Sequence, residues 1–120
     1  MQNLNEHYVT SADGLIYDAG FPVEFDTVTI ALTPGTAGVI AKGQVIDRVE
    51  DEGEISYAPH ATSGDVFAIA ADNESYDAAA DEVTVPIIVS GNVKTSKIVT
   101  DVDLTDADVL RFRELGINLR

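Results

Sequence analysis

The sequence contains no cysteine and no tryptophan, and none of its apolar runs approaches the ~20 residues that cross a bilayer as a helix. Without cysteine there is no disulfide framework, no thiolate nucleophile and no cysteine-ligated zinc. The first residues also lack the basic and apolar segments of a secretory signal. We therefore expect a soluble protein made in the cytoplasm, whose 120 residues form one domain stabilised by burial, hydrogen bonds or oligomerisation.

Basic residues are scarce until late in the chain. Residues 1–93 contain 16 acids and two bases, whereas residues 94–120 contain five of each, so the formal charge of −14 lies entirely in the first 93 residues. Nucleic acids and anionic membranes are bound by clustered Lys and Arg, and we expect neither as a partner. Because like-charged copies repel each other, we expect self-contacts to use the neutral last quarter or apolar patches, not the acids between Asp47 and Glu54.

Alternation of apolar and polar residues, with many β-branched side chains, predicts strands over much of the chain. They are expected at 25–32, 39–41, 44–49, 55–58, 65–71 and 83–90, and the alternation at 92–99 favours one more. The acids at 51–54 are the predicted tip of a hairpin. Pro86 cannot donate a hydrogen bond to a neighbouring strand, which favours an edge or a bulge at that point.

Only one helix is well signalled, at 106–115. Thr105 is of a type that caps helix amides, acids occupy the first turn, and Gly116 is a typical stop. The apolar stripe that should face the core consists of Val109, Leu110, Phe112 and Leu115. Residues 117–119 are expected to form a last short strand. The sequence therefore predicts a mainly β fold (α+β) with one C-terminal helix.

Residues 1–20 show the period of neither a strand nor a helix, and we interpret them as an extended N-terminal arm in front of a compact domain at 21–120. An extended arm can add a strand to the sheet edge of another protein. The apolar side chains predicted to bind a partner in this way are Leu15, Ile16, Tyr17, Phe21 and Val23. The alternative is that these residues pack back on their own domain.

Catalytic groups are sparse. His60, Ser63 and Asp65 have the residue types of a hydrolase triad, but they lie in one loop, whereas the members of a triad converge from separate elements. Lys42 and Gly43 resemble the glycine turn of biotinyl and lipoyl carrier domains, yet the hairpin that would present the modified lysine contains none. We therefore expect no enzyme and no cofactor, and an ordinary turn at Lys42.

Two groups of side-chain oxygens raise the question of a hard cation. They are the loop group Asp72, Asn73, Glu74 and Asp77, and the hairpin group Asp47, Glu50, Asp51, Glu52 and Glu54. The loop group lacks the central glycine and the terminal glutamate of a calcium loop. Acids at a hairpin tip commonly keep it solvated. We therefore interpret both groups as solvated surface and predict no metal site.

Three stretches of the sequence resemble one known family. They are GDVFAIAADNESYDAAADEVTVPIIVSGNV (64–93), VIAKGQVI (39–46) and LRFRELGINLR (110–120). In their order, spacing and residue types they resemble the tailed-phage head-decoration proteins of the lambda D type, with a match that covers about residues 25–120. The chain departs from that family in its more regular C-terminal helix and its strong acidity.

The resemblance implies a small β-rich, β-clip-like decoration fold without catalytic residues or cofactors. Such proteins bind the outer surface of the expanded phage head as trimers and stabilise it against the pressure of the internal DNA. The implied partners are the major capsid protein and further copies of the chain, and the implied location is the outer capsid surface of the virion, reached from the host cytoplasm during assembly. A β-rich module that binds carbohydrate or a cell surface is the alternative, and clustered exposed aromatic residues would favour it.

Overall fold

The computed structural model describes residues 15–16, 23–61 and 64–120. Its strands are β1 (Glu24–Ala31), β2 (Gly38–Ile40), β3 (Val45–Asp51), β4 (Glu54–Pro59), β5 (Asp65–Ala70), β6 (Glu74–Tyr76), β7 (Glu82–Val93) and β8 (Ile117–Leu119). A 3₁₀ turn at Thr95–Lys97 and the helix α1 (Asp106–Leu115) lie between β7 and β8. Strands make up 52% of the structure, so the expected mainly β fold with one C-terminal helix is confirmed.

The main sheet has the strand order β1-β7-β5-β3-β4, in which every neighbouring pair is antiparallel. The short strand β8 pairs in parallel with the end of β7. β1 and β4, at the two ends of the order, also contact each other, so the sheet is curled. β2 and β6 form a separate two-stranded sheet.

The central strands β5 and β7 are buried on both faces, which explains their nearly continuous apolar sequences. Ile69 and Ile88 belong to one core, together with Phe112 of α1. Ala70, which follows Ile69, and Ile87, which precedes Ile88, belong to a second core on the other face of the sheet. Successive side chains of a strand point to opposite faces, so two adjacent apolar residues fill two cores.

The helix α1 begins and ends where the sequence predicts. The Thr105 hydroxyl accepts a hydrogen bond from the Asp108 amide at 3.1 Å, and the Asp108 carboxylate accepts one from the Thr105 amide at 3.0 Å. This reciprocal pair is a capping box, which satisfies two amides that the first helical turn leaves unpaired. Gly116 ends the helix in the left-handed region, at φ 101°.

The predicted apolar stripe of α1 is only partly correct. Phe112 is fully buried, and Val109 and Leu115 are half-buried. Leu110 is 52% exposed, because it lies on the side of the helix that faces away from the sheet.

Two strand predictions near β7 are wrong. The chain leaves β7 at Val93 and forms the 3₁₀ turn, so no strand covers 94–99. Pro86 lies in an interior strand, not at an edge. Its carbonyl accepts a hydrogen bond from the Ala71 amide at 2.8 Å, and its missing N–H would point to the same side, just past the end of β5. Pro86 therefore cannot return a bond to the Ala71 carbonyl, and the missing bond falls where β5 has already ended, at Ala70.

Candidate assembly site

The first residues that the structure describes lie along the end of β7. Ile16 forms an isolated antiparallel bridge with Val93, and the Leu15 carbonyl accepts a hydrogen bond from the Lys94 amide at 2.8 Å. Leu15 is 1% exposed and Ile16 is 4% exposed, and both belong to the core that contains Phe112. Residues 15 and 16, which we call the strap, are thus held against the end of β7 on their own domain.

The five apolar residues predicted to bind a partner have different positions. Leu15 and Ile16 are buried in the strap, and Val23 is half-buried against the same core. Tyr17 and Phe21 lie outside the described residues. The burial of the strap matches the alternative in which these residues pack on their own domain. Their capsid-binding role, and the division into an arm at 1–20 and a domain at 21–120, stay predictions.

Two residues of β7 lie beside this segment. Gly91 (φ 137°) has no side chain, and a Cβ placed there would lie 3.1 Å from a methyl group of Val23. Asn92 is buried, and its side-chain carbonyl has no hydrogen-bond partner among the described residues. Leaving a buried acceptor unsatisfied costs about 1–3 kcal/mol. The end of β7 therefore has a close backbone contact with Val23 at Gly91 and an unsatisfied polar group at the next residue.

Basic residues gather at the same end of the molecule. The main chain of Lys94 is hydrogen-bonded to the strap, and the main chain of Arg120 is hydrogen-bonded to Val93 and Thr95. The Arg120 amide donates to the Val93 carbonyl at 2.8 Å, and the Arg120 carbonyl accepts from the Thr95 amide at 3.1 Å. The described N-terminal segment and the end of the chain thus flank one strand end.

A pocket of about 220 Å³ opens between α1 and β8. Its lining residues are Val109, Arg113, Ile117, Asn118, Leu119 and Arg120. Among the described residues, neither Arg113 nor Arg120 has an ion-pair partner, whereas Arg111 lies 3.6 Å from Glu114. Two unpaired guanidinium groups and the Asn118 amide can hold a carboxylate. We call this feature the basic pocket.

The tip of the β3–β4 hairpin has the opposite charge. Asp51 pairs with Glu54 across the two strands, and the turn between them consists of Glu52 (φ 51°) and Gly53 (φ 83°). Two positive φ angles are typical of the type I′ turn, which suits the twist of a hairpin. Residues 50–54 are all exposed, so the predicted solvated hairpin tip is confirmed for them. We call these residues the acidic tip.

Asp47 does not belong to the acidic tip, contrary to the sequence interpretation. It is 1% exposed, and its Oδ1 lies 2.7 Å from Nδ1 of His60. Its Oδ2 accepts a hydrogen bond from the Ala61 amide at 2.9 Å. An ionised carboxylate can only accept, so Nδ1 of His60 donates in this pair. Asp47 is therefore a buried acceptor that fixes the loop after β4.

His60 connects this carboxylate to the helix. Its Nε2 lies 3.5 Å from Oδ2 of Asp108, the residue that closes the capping box of α1. The His60 side chain is 2% exposed. The three residues, which we call the Asp47–His60–Asp108 network, join β3, the loop after β4 and the start of α1. A buried network of this kind stabilises the arrangement of its elements when its members are satisfied.

Gly64 completes the surroundings of the network. A Cβ at this position would overlap with the Asp47 carboxylate, so a side chain is sterically excluded. The backbone at Gly64 therefore approaches β3 more closely than a residue with a side chain could.

The residues of the considered hydrolase triad do not come together in the described part of the chain. Ser63 lies outside it, and Asp65 is exposed at the start of β5. His60 is instead engaged by Asp47 and Asp108. Sequence reasoning missed these two partners because each is far from His60 along the chain. The available signal was Asp47 itself, an acid that directly follows two apolar strand residues.

The loop group of oxygens is used for local structure. The Asp72 carboxylate accepts a hydrogen bond from the Asn73 amide at 2.8 Å, and the Asn73 side chain accepts one from the Lys42 amide at 2.8 Å. The Asp77 carboxylate accepts one from the Ala79 amide at 3.0 Å. Glu74 begins β6, where burial and, secondly, the charge of Asp72 raise the pKa of its carboxyl above 4.5. In residues 15–16, 23–61 and 64–120, no three His, Asp or Glu side chains are grouped so as to hold a metal ion.

No helix of the described residues is long and apolar enough to span a membrane. The chain matches no protein-family model and no curated protein, and its fold matches no solved structure.

Proposed function

We propose that this protein is a structural decoration protein of a phage head. It binds the outer surface of the expanded shell as trimers and stabilises the shell against internal DNA pressure. Its partners are the major capsid protein and other copies of itself, and it acts without a cofactor. Many weak contacts repeated over a symmetric shell provide the avidity that this role requires.

The observation that carries the proposal is where the resembling stretches lie in the fold. Residues 64–93 form β5, β6 and β7, which include the two strands buried on both faces. Residues 110–120 form the second half of α1 and β8, which cover one core and pair with β7. These two stretches thus include much of the framework of the domain.

The contacts of His60 agree with a structural role. His60 is inaccessible and lies between two carboxylates that connect the sheet to the helix. A general acid or base must reach a substrate proton within hydrogen-bonding distance. We therefore expect the exchange of His60 for Ala to lower stability without removing any chemical activity.

The alternative, a module that binds carbohydrate or a cell surface, finds no specific support in the described residues. Their aromatic side chains are all buried or half-buried: Phe25, Tyr57, Phe67, Tyr76 and Phe112. Tyr57 and Phe67 pack on each other with ring centroids 5.4 Å apart and join the second core. These rings serve the fold, so the described surface offers no aromatic platform for a sugar.

The test is co-sedimentation of the purified full-length chain with expanded and unexpanded heads of the parent phage. We expect the chain to pellet with expanded heads only and to raise the temperature at which they rupture. A chain that pellets with neither kind of head, or that leaves the rupture temperature unchanged, would overturn the proposal.

The role of the N-terminal residues needs a separate variant. A deletion of residues 1–20 would also remove the strap, and the loss of Leu15 and Ile16 from the core would confound folding with binding. The variant should therefore keep the strap and carry Tyr17→Ala and Phe21→Ala, two of the five residues predicted to bind the capsid. We expect this variant to keep the melting temperature of the full chain and to lose binding to expanded heads. Retained binding would reject the arm mechanism while leaving the decoration role in place.

A further inference from the structure

Two surfaces of the described chain have unbalanced charges of opposite sign. The basic pocket has Arg113 and Arg120 without ion-pair partners among the described residues. At the acidic tip, four of five residues are acids, and the nearest base, Arg48, reaches only Glu50, at 3.9 Å. Unpaired charges of one sign on one surface and of the other sign on another are what a contact between two molecules can neutralise.

The shapes of the two surfaces fit such a contact. The acidic tip is a two-residue turn that projects from the end of β3 and β4. The basic pocket is a concave site whose volume of about 220 Å³ can admit a carboxylate side chain. Arg113 and Arg120 present planar donors that can bind a carboxylate in a bidentate manner.

Each surface also has an exposed aliphatic side chain beside its charges. Val49 is 41% exposed and lies on the same face of β3 as Asp51, two residues on. Leu110 is 52% exposed and lies one helical turn before Arg113. Apolar contact next to charge pairing is the usual composition of a protein interface.

We infer that the acidic tip of one copy docks in the basic pocket of the next copy. The occupant is a second copy of this chain because the same molecule supplies both complementary surfaces. The contact joins two different surfaces, so it is heterologous, and repetition of such a contact gives a closed ring when the rotation closes.

This inference rests on the self-association in the proposed function and names its two surfaces. It also changes the expectation, drawn from net charge alone, that self-contacts avoid the acids between Asp47 and Glu54. The last quarter of the chain does take part in the contact, as expected, but it meets the acids of a neighbouring copy. Acid against acid stays unfavourable, and the heterologous arrangement avoids it.

The test is a charge exchange, read as self-association by sedimentation velocity over a range of concentrations. The tip variant carries Glu52→Lys and Glu54→Lys, and the pocket variant carries Arg113→Glu and Arg120→Glu. Each should associate at least about tenfold more weakly than the original chain, because the tip then has no net charge in the first variant and acids face acids in the second. The variant with all four changes should regain association, since the two new lysines of the tip then face the two new acids of the pocket.

A matched control and a salt series separate this contact from general charge effects. Arg111→Gln removes a base from the same helix but outside the pocket, and should leave association unchanged, whereas Arg113→Gln should weaken it. Raising the salt concentration from about 50 mM to about 500 mM should weaken the self-association of the original chain and of the four-change variant alike. Circular dichroism must show that each variant is folded.

Three results would overturn the inference. They are an original chain that stays monomeric up to about 1 mM, folded single-surface variants that associate as the original does, and a folded four-change variant that stays dissociated. None of these depends on phage heads. A chain that passes this test but pellets with neither kind of head would reject the proposed function while leaving the contact established.

Discussion

Asp47 and Asp51 lie in the same strand, point to the same face and carry the same charge, yet the structure uses them in opposite ways. Asp47 is 1% exposed and accepts hydrogen bonds from His60 and Ala61. Asp51 is exposed at the acidic tip, where the hairpin extends beyond the helix and the loop after β4. What separates the two acids is the tertiary surroundings at each end of β3.

A run of acids in the sequence is therefore not a single structural feature. The described chain between Asp47 and Glu54 contains a buried structural network at one end and a solvated surface at the other. The network contributes to the stability of the fold, and the acidic tip is free to meet a partner. Substitutions at buried, half-buried and exposed positions test this division between the acids.

Replacing Asp47 by Ala should cause the largest loss of stability. It removes the acceptor for both His60 and the Ala61 amide, and leaves the buried Nδ1 of His60 unsatisfied. Breaking a buried pair typically costs about 3–5 kcal/mol. Urea denaturation should show a lower midpoint with an unchanged slope. A loss below about 1 kcal/mol would mean that the network contributes little.

Replacing Gly64 by Ala should cause the next largest loss of stability. The new Cβ would overlap with the Asp47 carboxylate, which two hydrogen bonds hold in place. Forcing extra volume into a packed site costs about 1–3 kcal/mol. Gly38→Ala is a suitable comparison, because its Cβ would meet the end of the half-buried Tyr76 side chain, which can move. Equal losses in the two variants would contradict the proposed rigidity of Asp47.

Replacing Asp108 by Ala should have an intermediate effect. The change removes the acceptor for the Thr105 amide and the carboxylate beside His60. A lost hydrogen bond to a charged group costs about 1.5–3 kcal/mol, and the partial exposure of Asp108 places the loss at the lower end. The control is Asp106→Ala, an exposed acid in the same helical turn. The difference between their free energies of unfolding measures the combined contribution of the capping box and of the contact with His60.

Glu74, a half-buried acid, lies between the two extremes. Burial and the charge of Asp72 raise the pKa of its carboxyl in the folded protein above 4.5. The folded state therefore binds this proton more strongly than the unfolded state, and stability should fall as pH rises from 4.5 through the raised pKa. Glu74→Gln should remove this part of the pH dependence and stabilise the protein at pH 7. Thermal unfolding between pH 4 and 7 provides the measurement, and parallel curves for the two proteins would be the contrary result.

Replacing Asp51 by Ala should have the smallest effect on folding. The side chain is exposed and surrounded by other acids, and such surface changes usually stay within about 0.5 kcal/mol. The same urea denaturation used for Asp47→Ala makes the comparison direct. A loss similar to that of Asp47→Ala would show that the two acids are not used differently.

Local chemistry made much of the fold predictable. Thr105 and Gly116 bracket α1 because capping acts within one helical turn. Alternation placed β1, and apolar runs placed β5 and β7, since both patterns follow directly from which faces of a strand are covered. The 3₁₀ turn after Val93 was missed because the alternation of residues 92–99 suits an extended chain equally well.

The candidate site was predictable only in part. The acidic tip follows from its turn residues, but the basic pocket depends on how α1 and β8 are placed side by side, which the spacing of Arg113 and Arg120 does not reveal. The burial of the strap likewise depends on β7, since residues 15–16 lie far from Val93 along the chain. Contacts between distant segments leave no local pattern in the sequence.

The sequence by itself determined the mainly β class, the position of the helix and the separation of charge along the chain. These properties depend on neighbouring residues and on composition. Only the tertiary structure decided that Asp47 is buried while Asp51 is not, that His60 joins two elements, and that Leu15 and Ile16 complete a core. The physical reason is that burial and pairing are properties of space, and the fold brings residues together over separations that local propensity does not span.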